Sequence, residues 1–402
     1  MGVAKRLMEE YESREFGEVP DRYICNKCVG DYGLQEYIRR NATRRRCSYC
    51  KRKSKRNSAI SLEKFILYVQ KCLRAEYETA EDSGTPYETR EGGWQGDVLD
   101  IWDVLDKHPI YSDEGEIEAD VQALLEDNTY AKNFTGTPAD WHSEYWGRFV
   151  DLVKYKARFI LFRKDFTFEY DFDDPRYILD TIGELLPELV KTVPPRQQLT
   201  RVRVSQKGIG GMWAANLGTN SPRHTKQASR MSPAGIPLFY AAESLSTAIA
   251  EVSPSESDKL CHIGTFETSS DALLIDFTAV PLMPSIYDEY LADKREAILF
   301  LRRFVKDMAL PVEKNGEGNI DYLPTQIVTE YIRYLCKVDG KKIDGIKYPS
   351  TQREGGICYA FFVDSAHCLN AYDKIKDDEK LNLILTNAYT KTTASVLHEL
   401  AT

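Results

Sequence analysis

The chain has 402 residues, 42% of them hydrophobic and 29% charged, with a net charge of −9. At roughly 150 residues per domain, that length predicts two or three domains. The composition excludes wholesale disorder and the fibrous classes, and no run approaches the ~18 consecutive apolar residues of a membrane-spanning helix.

The amino-terminal stretch MGVAKRLMEEYESREF is polar and carries both charges, unlike a secretory signal. Nine cysteines without such a signal point to a reducing cytoplasm, where clustered cysteines bind metal more often than they form disulfides. We therefore expect a cytoplasmic protein without a membrane partner.

The first region, residues 1–58, is short, basic and Cys-rich. Residues 1–56 hold 15 Lys/Arg against 8 Asp/Glu, a net of +7. Between Arg39 and Arg56 there are ten basic residues and no acidic one. Between Glu76 and Asp127 the balance reverses, with seventeen acidic residues and two basic ones. A basic head of this kind either docks on the acidic segment of its own or a sister chain, or binds nucleic acid. Within it, Cys25-Asn-Lys-Cys28 and Cys47-Ser-Tyr-Cys50 form C-x2-C-x18-C-x2-C. A two-residue gap lets both thiolates of one turn point at an ion ~2.3 Å away, and two such turns complete a tetrahedron. A closed four-cysteine site leaves no open position, so the zinc expected there is structural. Cys72, Cys261, Cys336, Cys358 and Cys368 stand singly in apolar surroundings and read as core residues.

The second region, 59–192, reads as helical. SLEKFILYVQKCLRAEYE, DVLDIWDVL, EIEADVQALLED and WHSEYWGRFVDLVKYKARFILF place apolar residues at three- and four-residue spacing. LDTIGELLPELVK continues the pattern until Pro194 and Pro195 stop it. In helix content and position the region resembles the HEPN class. Catalytic members of that class place a His after an Arg with a spacer of about four to six residues, and neither His108 nor His142 has such a partner. A packing or regulatory role is expected instead.

The third region, 195–402, alternates short strands (TRVRV, IPLFYAA, CHIGTFE, ALLIDFT, DGIKYPS, ICYAFFVD) with helices (SLSTAIAEV, capped by Ser244, then YDEYLADKREAILFLRRFVKDMA and TQIVTEYIRYLCK). That order predicts an α+β domain with a mostly antiparallel sheet. Gly208-Ile-Gly-Gly211 lacks the rest of a dinucleotide or P-loop fingerprint and reads as a turn. Arg201 and Arg203, two apart in a β-branched run, share one strand face, and paired guanidinium forks suit an anion. Arg230 sits in an irregular loop, Tyr240 ends a strand, Glu251 closes a short helix of mostly Ala and Ile, and Ser350 ends another strand.

TRVRV, SRMSPAGIPLFYAAESLSTAIAEV, YLPTQIVTEYIR and DGIKYPS, in that order, resemble the RES family, named for its Arg, Glu and Ser residues. Its members are toxin-like bacterial enzymes that destroy NAD. The resemblance spans about residues 199–365, and residues 1–192 resemble the zinc-and-helix part attached to some RES proteins. It implies an ADP-ribosyltransferase-like split β-sandwich with NAD as substrate. By position it implies Arg201, Tyr240, Glu251 and Ser350 as catalytic residues, with Arg203 and Arg230 binding. The family's loop motif is usually Gly-Arg before an Asn-containing turn; here it is Ser229-Arg230 with Ser232.

Cleavage of the nicotinamide–ribose bond develops positive charge on the anomeric carbon, which a carboxylate such as Glu251 stabilises. The arginines would hold the pyrophosphate, Tyr240 would stack on nicotinamide, and Ser350 would bond within the nicotinamide or ribose site. The expected protein is thus an NAD glycohydrolase or phosphorylase, a bacterial toxin or anti-phage effector, and a homo-oligomer. Its basic zinc head would meet a nucleic acid or a phage-derived trigger. Two other readings fit the same residues: an ADP-ribosyltransferase acting on a macromolecule, and a zinc-dependent nucleic-acid-binding protein with an inactive C-terminal domain.

Overall fold

A computed structural model describes residues 19–111, 115–125, 129–132, 138–160, 174–255, 258–309, 318–375 and 380–401. The chain forms two compact units, Met1–Asp140 with Leu282–Leu299, and Trp141–Pro281 with Phe300–Thr402.

In the first unit, β1 (Tyr23–Cys25) leads to α1 (Tyr32–Asn41), which starts where the Asp31 side chain accepts from the Leu34 N–H. β2 (Ala59–Ser61) pairs antiparallel with β1, Ile60 opposite Ile24. Ser61 then caps α2 (Leu62–Glu76) by accepting from the Lys64 N–H, a bond of the kind worth about 1 kcal/mol. The three- and four-residue spacing of Leu62, Phe65, Ile66, Val69 and Leu73 buries one face of α2 against Ile24, Ile38 and Ile60, so the cysteine-rich segment and the helix share a core. β3 (Tyr77–Thr79), β4 (Val98–Leu99) and β5 (Tyr130–Lys132) form a three-stranded antiparallel sheet. Strands of two or three residues are too short to show an alternating pattern, so the helical reading passed over them. Between β4 and β5 lie α3 (Ile101–Lys107), capped by Asp100, and α4 (Glu116–Leu124). Residues 126 and 127 of the helix expected there lie outside the described residues.

Tyr287 joins this core from the 282–299 segment. It accepts from Tyr68 Oη through its carbonyl at 2.8 Å and donates to the His108 carbonyl at 3.0 Å. Gly33 of α1 lies so close to this segment that a Cβ would stand 2.8 Å from the Tyr287 carbonyl carbon and 2.9 Å from Asp288 N.

In the second unit, α5 (Pro138–Asp151, of which Trp141–Asp151 belongs here) runs on into a π turn at Leu152–Lys156, and residues 161 and 162 of the helix expected there fall outside the described residues. α6 (Pro175–Leu185) stops nine residues short of Pro194. Pro187 is the cause: its missing N–H and its ring turn Leu186–Leu189 into a 3-10 turn. Val190 and Lys191, read as the end of a helix, belong instead to strand β6 (Val190–Val193).

The strands that follow are β7 (Gln198–Ser205), β8 (Phe239–Ala242), β9 (Leu260–Thr268) and β10 (Ala272–Asp276), then β11 (Gly345–Pro349), β12 (Ile357–Phe361), β13 (Cys368–Asn370) and β14 (Leu383–Thr392). The longer helices are α7 (Leu245–Val252), α8 (Ala292–Ala309, of which Phe300–Ala309 belongs here), α9 (Leu323–Tyr334) and α10 (Thr393–Ala401). Ser244 caps α7, accepting from the Thr247 N–H.

Nine strands form one sheet in the order β13-β14-β9-β7-β8-β12-β11-β10-β6. Its pairs are antiparallel except β10 with β11 and β13 with β14. β7 pairs with β9 from Gln198 to Ser205, but β7 and β8 register only at Thr200 opposite Ala242. Four strands and five are thus joined through one residue pair. Alternation puts Leu199, Phe239, Phe266 and Phe361 into one core and Val202, Ala242, Ile263 and Cys358 into another. The α+β class and the mostly antiparallel sheet stand as expected.

A methyl group at position 33 has to displace backbone rather than a flexible side chain. Gly33→Ala should therefore lower stability by about 1–3 kcal/mol, as overpacking does. Gly208→Ala, where an added Cβ meets nothing within 4 Å, should leave the thermal transition unchanged. Thermal unfolding of both variants checks this.

Candidate functional site

A cavity of about 490 Å³ lies in the second unit, walled by β7 at Thr200–Val202 and β8 at Tyr240–Ala242. Its size falls within the roughly 300–1,000 Å³ of small-molecule sites. Arg201, Arg230, Tyr240 and Glu251 all line it, with Tyr348 and Gln352.

Arg201 occupies the place where the two half-sheets separate. Its Nε donates to the Leu217 carbonyl at 2.9 Å and its Nη1 to the Tyr240 carbonyl on β8. Its guanidinium also stands 5.0 Å from the Phe239 ring centroid. Burial and the neighbouring Arg203 push its pKa down to about 9, so it stays cationic at neutral pH. Arg203 does not line the cavity. It donates to Leu217 O at 3.3 Å, to Asn220 Oδ1 at 2.7 Å and to Gly218 O. The two arginines share a face, as their spacing predicts, and converge on one carbonyl.

The 228–232 loop is held at both ends of a short bridge: Ser229 N donates to Ser232 O at 2.7 Å and Ser232 N to Ser229 O at 3.2 Å. Two buried residues of α9 anchor it: Gln326 Nε2 donates to Ser229 O at 2.8 Å, and Thr325 Oγ1 donates to Arg230 O. The Arg230 side chain donates to Met308 O at 2.9 Å and to Thr351 Oγ1 at 3.2 Å. Ser232, where the family more often has an Asn-containing turn, accepts from Tyr240 Oη at 3.3 Å. Burial raises the Tyr240 phenol to about 12, so it remains protonated.

Glu251 is the penultimate residue of α7, and Ser253 closes the helix in a left-handed conformation (φ 43°). A carboxylate in a last turn faces the negative end of the helix dipole, which costs about 0.3–1 kcal/mol at a surface. Ser350 offsets this: its Oγ donates to Glu251 Oε1 at 2.6 Å. The same Oγ accepts from the Gln352 N–H at 3.2 Å and the Arg353 N–H at 3.1 Å. Ser350 thus meets the cavity through Glu251 rather than lining it. Tyr348, Thr351, Gln352 and Tyr322 carry no sequence signal of a site, and Cys358, read as a core residue, forms part of the wall; Tyr348 lies in β11, which ends one residue before Ser350. Burial raises the Cys358 thiol, which makes it a quiet wall residue.

In the first unit the four cysteines come together. Their Sγ atoms are 3.8 Å apart for Cys25–Cys28, 3.6 Å for Cys25–Cys50 and 3.7 Å for Cys28–Cys47, and all four lie within 4.8 Å of one another. A tetrahedron with arms of about 2.3 Å has edges of about 3.8 Å, so the set fits a metal ion. The Cys47 thiol is pushed down to about 4 by its bond with Cys25 and by the backbone N–H groups of Cys50 and Tyr49, toward the thiolate a metal takes. The two histidines of the helical region pack instead: His108 bonds Tyr77 Oη at 2.9 Å and is held neutral by burial, and His142 lies edge-on to Phe300 at 5.4 Å.

The chain matches the family model of the RES domain over residues 199–384 and that of HEPN/RES N-terminal domain 1 over residues 40–166. It is a RES-domain protein with an N-terminal RES-associated domain. The first match encloses the whole cavity, and RES domains are associated with NAD-processing activity. No curated protein and no solved structure matches the chain.

Metal analysis of the purified protein should find about one ion per chain, and Cys47→Ser should release it and melt the surrounding loops. Absence of metal from the wild type would remove the site.

Proposed function

We propose that the cavity binds NAD and that the chain cleaves its nicotinamide–ribose bond, as a glycohydrolase or phosphorylase. The observation that carries this reading is the Glu251–Ser350 pair: an exposed carboxylate, placed against the dipole preference of its own helix and aimed by a hydroxyl whose other bonds are filled. As the bond to nicotinamide breaks, nicotinamide leaves with the bonding pair and the ribose carbon becomes cationic. Glu251 stabilises that cation. Water or phosphate then closes on it and releases its proton to solvent. Tyr240, neutral and partly buried, stacks on nicotinamide and limits water. Arg230 faces the pyrophosphate. Arg201 adds its charge while tying the two half-sheets, and Arg203 supports the Leu217–Gly218 carbonyls that Arg201 also uses. The split between the half-sheets agrees with an ADP-ribosyltransferase-like binding cleft.

In this reading the four cysteines hold a structural zinc, residues 1–58 and 59–192 restrain or trigger the domain at 195–402, and NAD loss in the cytoplasm makes the chain a bacterial toxin or anti-phage effector.

Purified protein incubated with NAD should yield nicotinamide with ADP-ribose, or with its phosphorylated form when phosphate is supplied. Glu251→Gln preserves shape and removes charge. Its kcat should fall at least ~100-fold while KM changes much less. Ser350→Ala should lower kcat by a smaller factor, and Ser350→Thr should restore it in part. A Gln variant with wild-type turnover sinks the assignment of Glu251.

Arg201→Lys keeps the charge but gives up the two-carbonyl bridge. Leaving a buried carbonyl unpaired costs about 1–3 kcal/mol, so both thermal stability and turnover should drop. Loss of activity with an unchanged melting temperature would give Arg201 a purely chemical role.

A further inference from the structure

The first unit carries a charged surface that no part of NAD chemistry uses. Residues 44–59 fold back on themselves: Arg44 bridges Ala59 and Arg46 bridges Lys53, both antiparallel. Ser54 N donates to Arg45 O at 2.7 Å, Ser58 N to Arg44 O at 2.8 Å and Cys47 N to Arg52 O at 3.0 Å. The result is an irregular hairpin loop, a short ribbon closed by two isolated bridges, whose tip, Cys47 to Cys50, is pinned by the cysteine cluster. Its arginines and lysines are exposed, and none forms an ion pair with a carboxylate among the described residues.

No described residue of the acidic segment pairs with them. Contact between the cysteine-rich part and α4 runs through other groups: Arg22 to Asp120 at 2.6 Å and Tyr49 Oη to Asp120 Oδ2 at 2.7 Å. Glu36 is taken by Arg39 and Arg40. Among the described residues the ribbon's like charges thus stand together without a carboxylate partner. A hollow of about 460 Å³ lies along it, lined by Tyr23, Arg44, Arg45, Arg46, Ser48 and Lys51.

We propose that this cysteine-closed basic ribbon binds the phosphate backbone of a nucleic-acid duplex. A regular polyanion relieves the repulsion and releases counterions, a gain that grows with each phosphate met. Unpaired bases would call for free aromatic platforms. Both tyrosines here are engaged, Tyr23 beneath the Arg44 guanidinium at 5.2 Å and Tyr49 on Asp120. A lipid surface would call for apolar side chains to insert beside the charges, and residues 51–58 (KRKSKRNS) carry none.

Anisotropy of a labelled DNA duplex of about 24 base pairs, titrated with the full chain in the absence of NAD, tests this independently of any turnover. Affinity should fall steeply between about 50 and 200 mM salt. The triple variant Arg45→Glu, Arg46→Glu, Arg52→Glu should bind at least ~100-fold more weakly at ~100 mM salt, with a shallower salt dependence by about three phosphates. Its metal content, melting temperature and NAD turnover should match the wild type. Three results overturn the proposal: no duplex binding at ~50 mM salt, equal binding by the triple variant, or tighter binding to a single-stranded oligonucleotide or to phosphatidylserine vesicles than to the duplex.

Discussion

Everything at the cavity depends on how a nine-stranded sheet is joined where its two halves meet. A normal antiparallel ladder would close the gap between β7 and β8; here one pair, Thr200 with Ala242, does so. The remaining backbone acceptor on the β8 side, the Tyr240 carbonyl, takes its hydrogen bond from Arg201 instead. A side chain long enough to span the opening, and rich enough in donors to reach Leu217 O as well, lets the sheet part without leaving polar groups unpaired. Arginine suits that task because its fork is rigid and its charge survives burial.

A second layer of control fixes what faces the opening. The 228–232 loop has little structure of its own beyond the Ser229–Ser232 bridge. Its shape is imposed by α9, through Thr325 and Gln326, whose side chains are almost fully buried. This explains why a polar Thr-Gln pair opens an otherwise amphipathic helix. Those side chains would be costly in the core if they did not satisfy loop carbonyls. The same logic places Ser350, whose acceptor sites are filled by backbone N–H groups so that its one proton points at Glu251.

The sequence made some of this legible and hid the rest for physical reasons. Long periodic segments such as 62–76 and capped ones such as 245–252 were readable because pattern and cap agree. Cysteine spacing led directly to a cluster because two C-x-x-C turns have few ways to fold. Val190 and Lys191 read as helix yet lie in a strand, because Pro187, one turn earlier, ends the helix whose apolar spacing Leu189 and Val190 continue. Four of the expected cavity residues line the cavity, but Arg203 and Ser350 act one bond behind it. Sequence order carries no information on which of two residues on one strand face reaches the opening, because that depends on where the neighbouring strand diverges.

Several residues that break local rules lie at the cavity or directly behind it. Two arginines share an apolar strand face, and burial lowers the pKa of both. A glutamate stands at the wrong end of its helix. A serine takes a left-handed conformation that glycine would adopt more easily. Each departure costs stability, and two of them are met by specific partners: the Leu217 and Tyr240 carbonyls for Arg201, and the Ser350 hydroxyl for Glu251. Retaining costly groups with the partners that hold them in one orientation is what a site needs if its charges must already be in place when a cationic transition state forms.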